Sequence, residues 1–137
     1  MTGNNSGFTS GITAPEGSQA AFLQGGNTST ISQSVSGFQS PTSYIVKFAA
    51  IQRLNCCNAG GQDFQVYLDN NLIGTFHPNT SGYLDYSTAT FDTTSGAHVV
   101  KFVGLQDGSL DQEQRPGTRG ATSERSAFVP AAVPRRP

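Results

Sequence analysis

Apolar residues in this chain recur at every second position, in short runs separated by Gly, Asn, Asp and Pro. Side chains of a strand point alternately to its two faces, so a period of two marks a strand, whereas a helix needs about 3.6. The longest run covers 43–52. Tyr44, Val46, Phe48 and Ala50 share one face, and Ile45, Lys47, Ala49 and Ile51 share the other. Phe64, Val66 and Leu68 then alternate with Gln65 and Tyr67. Asp69-Asn70-Asn71 reads as a hairpin turn, because Asn and Asp tolerate positive φ. The chain returns over 72–76 and stops at Pro78. Further runs fall at 20–23, 30–35, 84–91 and 97–104, and none has helical periodicity.

Seven short β segments with regular turns predict an all-β fold, a jelly-roll-like antiparallel β-sandwich. The expected core is Phe22, Ile31, Val35, Tyr44, Val46, Phe48, Phe64, Val66, Leu68, Phe76, Phe91, Val100 and Phe102. At 137 residues the chain makes one domain with a modest two-layer core. After Leu105 the character changes: the remainder holds five of the eight basic residues and four of the seven prolines. The expected organisation is therefore a sandwich module over 1–105 and a polar, Pro/Arg-rich tail over 106–137. The stretch 107–125 has too little apolar surface to offset its ordering entropy and reads as disordered. Within the tail, Ala127-Phe128-Val129 is apolar enough to dock.

Charge is sparse, with a net charge of −1, so neither nucleic acid nor an anionic membrane is an implied partner. No apolar run approaches the roughly 20 residues of a membrane span. The Gly, Ser, Thr, Asn and Gln content suits a secreted or cell-surface module whose export signal would precede residue 1. Asn27-Thr28-Ser29 and Asn79-Thr80-Ser81 fit the glycosylation pattern, a weak match in so Asn-rich a chain.

Catalysis is not expected. His77 precedes Pro78 at a strand end, and His98 lies where a turn enters a strand, best placed to bond a backbone carbonyl. Neither belongs to a nucleophile arrangement, and no Gly-x-Ser-x-Gly elbow exists. A glycosidase needs two carboxylates flanking a cleft. Asp63, Asp69, Asp85 and Asp92 instead fall at strand ends and turns, where Asp serves the backbone. Two cysteines and two distant histidines match no zinc spacing. The cofactor expectation is none, or at most a structural calcium on the loops, with Glu16 and Asp92 as candidate ligands and no EF-hand spacing.

Binding remains. The loop between the two central strands gathers planar hydrogen-bonding groups beside apolar ones, the combination that holds sugars. Gln52 and Arg53 leave one strand, Asn55, Cys56, Cys57 and Asn58 form the tip, and Gln62 and Asp63 enter the next. Arg53 is one of three basic residues before the tail; its alternative role is a bridge to Asp63 across the loop base. Adjacent α-carbons lie about 3.8 Å apart, whereas disulfides span about 4.4–6.8 Å. Cys56-Cys57 is thus either a strained local ring, usable as a stiff apolar rest, or two free thiols. Tyr67, Tyr83 and Tyr86 offer stacking faces, and Tyr67 points away from the core face of its strand. With no Trp, a cellulose-type platform is disfavoured.

An ordered set of segments carries a resemblance. It comprises Ser6-Gly7-Phe8-Thr9-Ser10, then Ala14-Pro15-Glu16-Gly17-Ser18-Gln19-Ala20-Ala21-Phe22-Leu23-Gln24-Gly25, and Ile31-Ser32-Gln33. Phe48-Ala49-Ala50-Ile51-Gln52-Arg53, Gly60-Gly61-Gln62 and Val66-Tyr67-Leu68-Asp69 follow, then Gly96-Ala97-His98-Val99-Val100-Lys101-Phe102-Val103-Gly104. Over about 3–105 this resembles the galactose-binding-like, carbohydrate-binding-module-like β-sandwiches of bacterial secreted proteins, akin to the plant domain of unknown function 642. Such modules carry a strand before the Phe8 region and an apolar strand at the close; neither is recognisable here. The resemblance implies non-catalytic binding of a glycan or polysaccharide by an accessory module. The expected site is Gln52, Arg53, Asn55, Cys56, Cys57, Gln62, Asp63 and Tyr67. The alternative is an assembly subunit, a homo-oligomer in which a neighbouring chain completes the exposed sheet edges.

Overall fold

A computed structural model describes residues 11–23, 29–52 and 62–105, and the strand backbone of 2–3, 24, 126–129 and 133–135. The strands are β1 (Thr2–Gly3), β2 (Gln19–Gln24), β3 (Thr30–Phe38), β4 (Ser43–Gln52), β5 (Phe64–Leu68) and β6 (Asn71–Phe76). They continue with β7 (Leu84–Ser87), β8 (Phe91–Asp92), β9 (Gly96–Gly104), β10 (Ser126–Val129) and β11 (Val133–Arg135). No helix occurs among the described residues, and every strand pair is antiparallel. All seven expected segments form strands, the 84–91 run being divided into β7 and β8. The expected hairpin turn is Asp69-Asn70, with Asp69 at φ 50° in the left-handed region.

Two sheets make the sandwich. One runs in the order β3-β9-β5-β6. The other is organised around β4, where Lys47 faces Val133 of β11 on one edge and Ser87 of β7 on the other. Between β7 and β8 the ladder continues through a side chain: Thr88 Oγ1 accepts from Val46 N at 3.0 Å and donates to Ala89 O at 2.9 Å. A buried amide that would otherwise lack a partner is thereby satisfied.

Two further strands pair with β2, one from each end of the chain. Thr2–Gly3 pairs with Gln19 and Ala20. Ser126–Val129 pairs with β2 over 21–24 and with β4 at Ile51 and Gln52, so β10 lies between them. The segment expected to dock, Ala127-Phe128-Val129, belongs to this strand. The stretch 107–125 lies outside the described residues.

The core between the sheets contains Tyr44, Val46, Phe48 and Ala50 of β4 against Phe64, Val66, Leu68, Val100 and Phe102. Phe48 is its hub, with Phe76, Phe102 and Phe64 rings edge-on at 4.9, 5.2 and 5.7 Å and Tyr86 stacked at 5.8 Å. Such pairs add about 0.5–1.5 kcal/mol each beyond area burial. One expected core residue is corrected. Leu23 enters the core, and Phe22 packs on the opposite side of the sheet with Ala20, Ile51, Ile12 and Tyr83. Ala20-Ala21-Phe22-Leu23 is a continuous apolar run, so alternation alone does not decide which residue faces in.

Candidate functional site

β5 positions the site. With Phe64, Val66 and Leu68 buried, the alternation places Asp63, Gln65 and Tyr67 on the outer side of the β3-β9-β5-β6 sheet. Cross-strand register then fixes their neighbours, since directly paired residues share a face. Tyr67 pairs with Lys101 and Leu72, and Lys101 pairs with Ser32. Gln65 pairs with Val103 and Thr75, and Val103 pairs with Thr30. The face is thus two rows deep at its centre, with Tyr67 set among short hydroxyl, amide and aliphatic side chains.

Its polar groups are tied together. The Tyr67 hydroxyl donates to Gln65 Oε1 at 2.7 Å, which orients that amide, and Gln65 Nε2 reaches Thr75 Oγ1 at 3.5 Å. The Lys101 ammonium stands 5.2 Å from the Tyr67 ring centroid, within cation–π range, and donates to Asn70 Oδ1 at 3.2 Å. At the end where β5 begins, Asp63 Oδ2 meets His77 Nδ1 at 2.8 Å.

At the other end a clamp holds the turns. His98 Nδ1 donates to Asp69 Oδ2 at 2.5 Å, His98 Nε2 donates to Thr94 O at 2.8 Å, and Asp69 Oδ1 accepts from Val99 N at 2.8 Å. With both ring nitrogens donating, the imidazolium is the favoured form. The bond to Asp69, then that to the Thr94 carbonyl, raises the His98 pKa. The Val99 amide and then His98 lower that of Asp69. The Phe38 ring lies edge-on at 5.3 Å, so His98 serves structure, as its strand-entry position suggests.

Of the expected site residues, Arg53, Asn55, Cys56 and Cys57 lie outside the described residues. Gln52 is half-buried at the end of β4, and Gln62 is buried before β5. Asp63 and Tyr67 stand on the same outer face. The Asp63 carboxylate is engaged by His77, a partner not considered in the sequence. Tyr86 is not a stacking platform: its ring packs on Phe48 and on Phe76 at 5.7 Å. Tyr83 is half-buried in the outer apolar cluster of the other sheet, and burial raises its hydroxyl pKa. Asp92 accepts from Ser43 Oγ. Among the described residues no three His, Cys, Asp or Glu side chains converge. No helix of the described residues is long and apolar enough to cross a membrane.

Lys101, Asn70, Thr75 and Gln65 are additions to the site. Alternation already placed Gln65 beside Tyr67. The pairing of Tyr67 with Lys101 joins residues 34 positions apart, and no local pattern specifies that register.

No family model matches the chain, and no curated protein matches it. Solved structures do. The chain is similar to the EclA C-terminal domain, a sugar-binding protein, at TM-score 0.62 and 8% identity, over 89% of this chain and 81% of that one. It is also similar to the carbohydrate-binding module CBM36 in complex with calcium and xylotriose, at TM-score 0.50 and 15% identity, over 83% and 86%. At these identities the likeness is one of fold. The chain has a carbohydrate-binding-module-like β-sandwich.

Proposed function

We propose that this protein is a non-catalytic glycan-binding module of an extracellular protein, and that it holds its ligand on the outer face of the β3-β9-β5-β6 sheet. The observation that carries this reading is the Tyr67 ring at the centre of that face, its hydroxyl fixed on Gln65 at 2.7 Å. An aromatic body with planar amides and hydroxyls at its rim suits the apolar faces and ring of hydroxyls that a sugar presents. Support of a coarser kind comes from the fold, which it shares with a sugar-binding domain and a xylotriose-binding module. Gln62 and Asp63 stand where the chain enters β5, and the proposed site also takes in Gln52, Arg53, Asn55, Cys56 and Cys57 on the strength of their hydrogen-bonding and apolar side chains alone.

The test is a glycan array with affinity-gel confirmation of hits. Tyr67→Ala should abolish retention while leaving the thermal unfolding midpoint nearly unchanged, and Arg53→Ala should weaken it. Retention that survives Tyr67→Ala would remove the sheet face as the site. Thiol titration with and without reductant separates a bonded cysteine pair from two free thiols.

A further inference from the structure

Charge on the candidate face is unevenly satisfied. Its two ends carry carboxylates that are already committed: Asp63 to His77 at 2.8 Å, and Asp69 to His98 at 2.5 Å and to the Val99 amide. The cation at the centre is differently placed. Among the described residues the Lys101 ammonium meets an amide oxygen, Asn70 Oδ1, and the Tyr67 ring. Neither is an anion. Lys101 is also one of only three basic residues in the first 105, the others being Lys47 on β4 and Arg53. In register it stands between Ser32 and Tyr67, in the middle strand pair of the sheet.

We infer that the ligand is an acidic glycan, a polymer containing hexuronic acid, whose carboxylate pairs with Lys101 while its ring lies against Tyr67. This rests on the glycan-binding reading above and names the class of sugar. The chemistry follows from the donors present. One oxygen of a carboxylate takes a charge-assisted hydrogen bond from the Lys101 ammonium, and its second oxygen comes beside the Asn70 amide, whose own oxygen Lys101 already engages. A neutral sugar leaves the ammonium without a counter-charge. Tyr67 and Lys101, facing each other across one strand pair, set the ring and its carboxylate at adjacent positions.

The test uses the full chain with oligomers of galacturonate and of mannuronate, their methyl esters, a neutral xylan oligomer and dextran sulfate, with binding followed by titration calorimetry. At least one uronate should bind. Lys101→Gln should weaken that binding about tenfold or more, the effect of losing one charge-assisted bond. The methyl ester should bind the native protein no better than the uronate binds Lys101→Gln. Affinity for the uronate should also fall as salt is raised. Equal binding of uronate and ester, binding indifferent to Lys101→Gln, or dextran sulfate binding as well as uronate would overturn the acidic-sugar assignment. A neutral xylan held through Tyr67 would do the same while leaving the glycan-binding reading standing. Failure of every glycan to bind would overturn both.

Discussion

The two sheets share one core and differ on their outer sides. Outside the β4 sheet lies a second apolar layer: Ala20 and Ile51 are 1% and 3% exposed there, packed with Ile12, Phe22 and Tyr83. Outside the β3-β9-β5-β6 sheet, Ser32, Thr30, Thr75 and Leu72 are exposed and Tyr67, Gln65 and Lys101 half-buried. The outer side of β4 is covered at its Ile51 end by the chain's own segments, with Lys47 exposed further along, while the outer side of β5 carries no such apolar cluster among the described residues. β4, apolar on both faces apart from Lys47, must be covered twice to be stable, whereas alternating β5 needs covering once.

That contrast is sharpest in three side chains. Phe64 is fully buried and stacks on Phe76 at 5.5 Å, so Phe64→Ala should cost about 3–5 kcal/mol, read from denaturant unfolding. Ile51→Ala tests the outer apolar layer and should cost about 2 kcal/mol or more. Tyr67→Ala, on the corresponding side of the other sheet, should cost less than about 1 kcal/mol while removing glycan retention. Equal stability losses for Ile51→Ala and Tyr67→Ala would erase the distinction between the two sides.

Much of this was legible in the sequence, for a physical reason. Apolar runs and turn residues are local signals, and they located β2 to β6, β9, the joint β7–β8 run and the Asp69-Asn70 turn, while period-two alternation gave the faces of β4 and β5 and the outward direction of Tyr67. It did not separate Phe22 from Leu23, because a continuous apolar run fits both faces. The strand at 126–129 was visible as an apolar patch, but its place between β2 and β4 depends on pairing across about 75 to 108 positions of chain, which no local pattern encodes. The site was half legible for the same reason. Asp63 and Tyr67 follow from β5 alone, whereas Lys101 and the His77 partner of Asp63 follow only from register.

The smallest effect belongs to the clamp that holds the turn end of the polar sheet, and it separates the sheets by pH. His98 has a raised pKa, so its contribution is complete below its unfolded value of about 6.5 and is lost as pH rises through the higher folded value. Asp69 has a lowered pKa, so its contribution is present above about 3.9 and is lost as pH falls through the lower folded value. The pair therefore stabilises most between about pH 4 and 6.5. Asp69 is 46% exposed, which holds the gain to about 1 kcal/mol or less. Asp69→Asn keeps a residue that tolerates φ 50° and an oxygen for the Val99 amide while removing the charge. The native melting temperature should decline from pH 6 towards 9, and the variant's curve should be flatter over that range. Parallel curves would show that His98 is held by packing on Phe38 and the Thr94 carbonyl alone, and that charge has no part in fixing this end of the face.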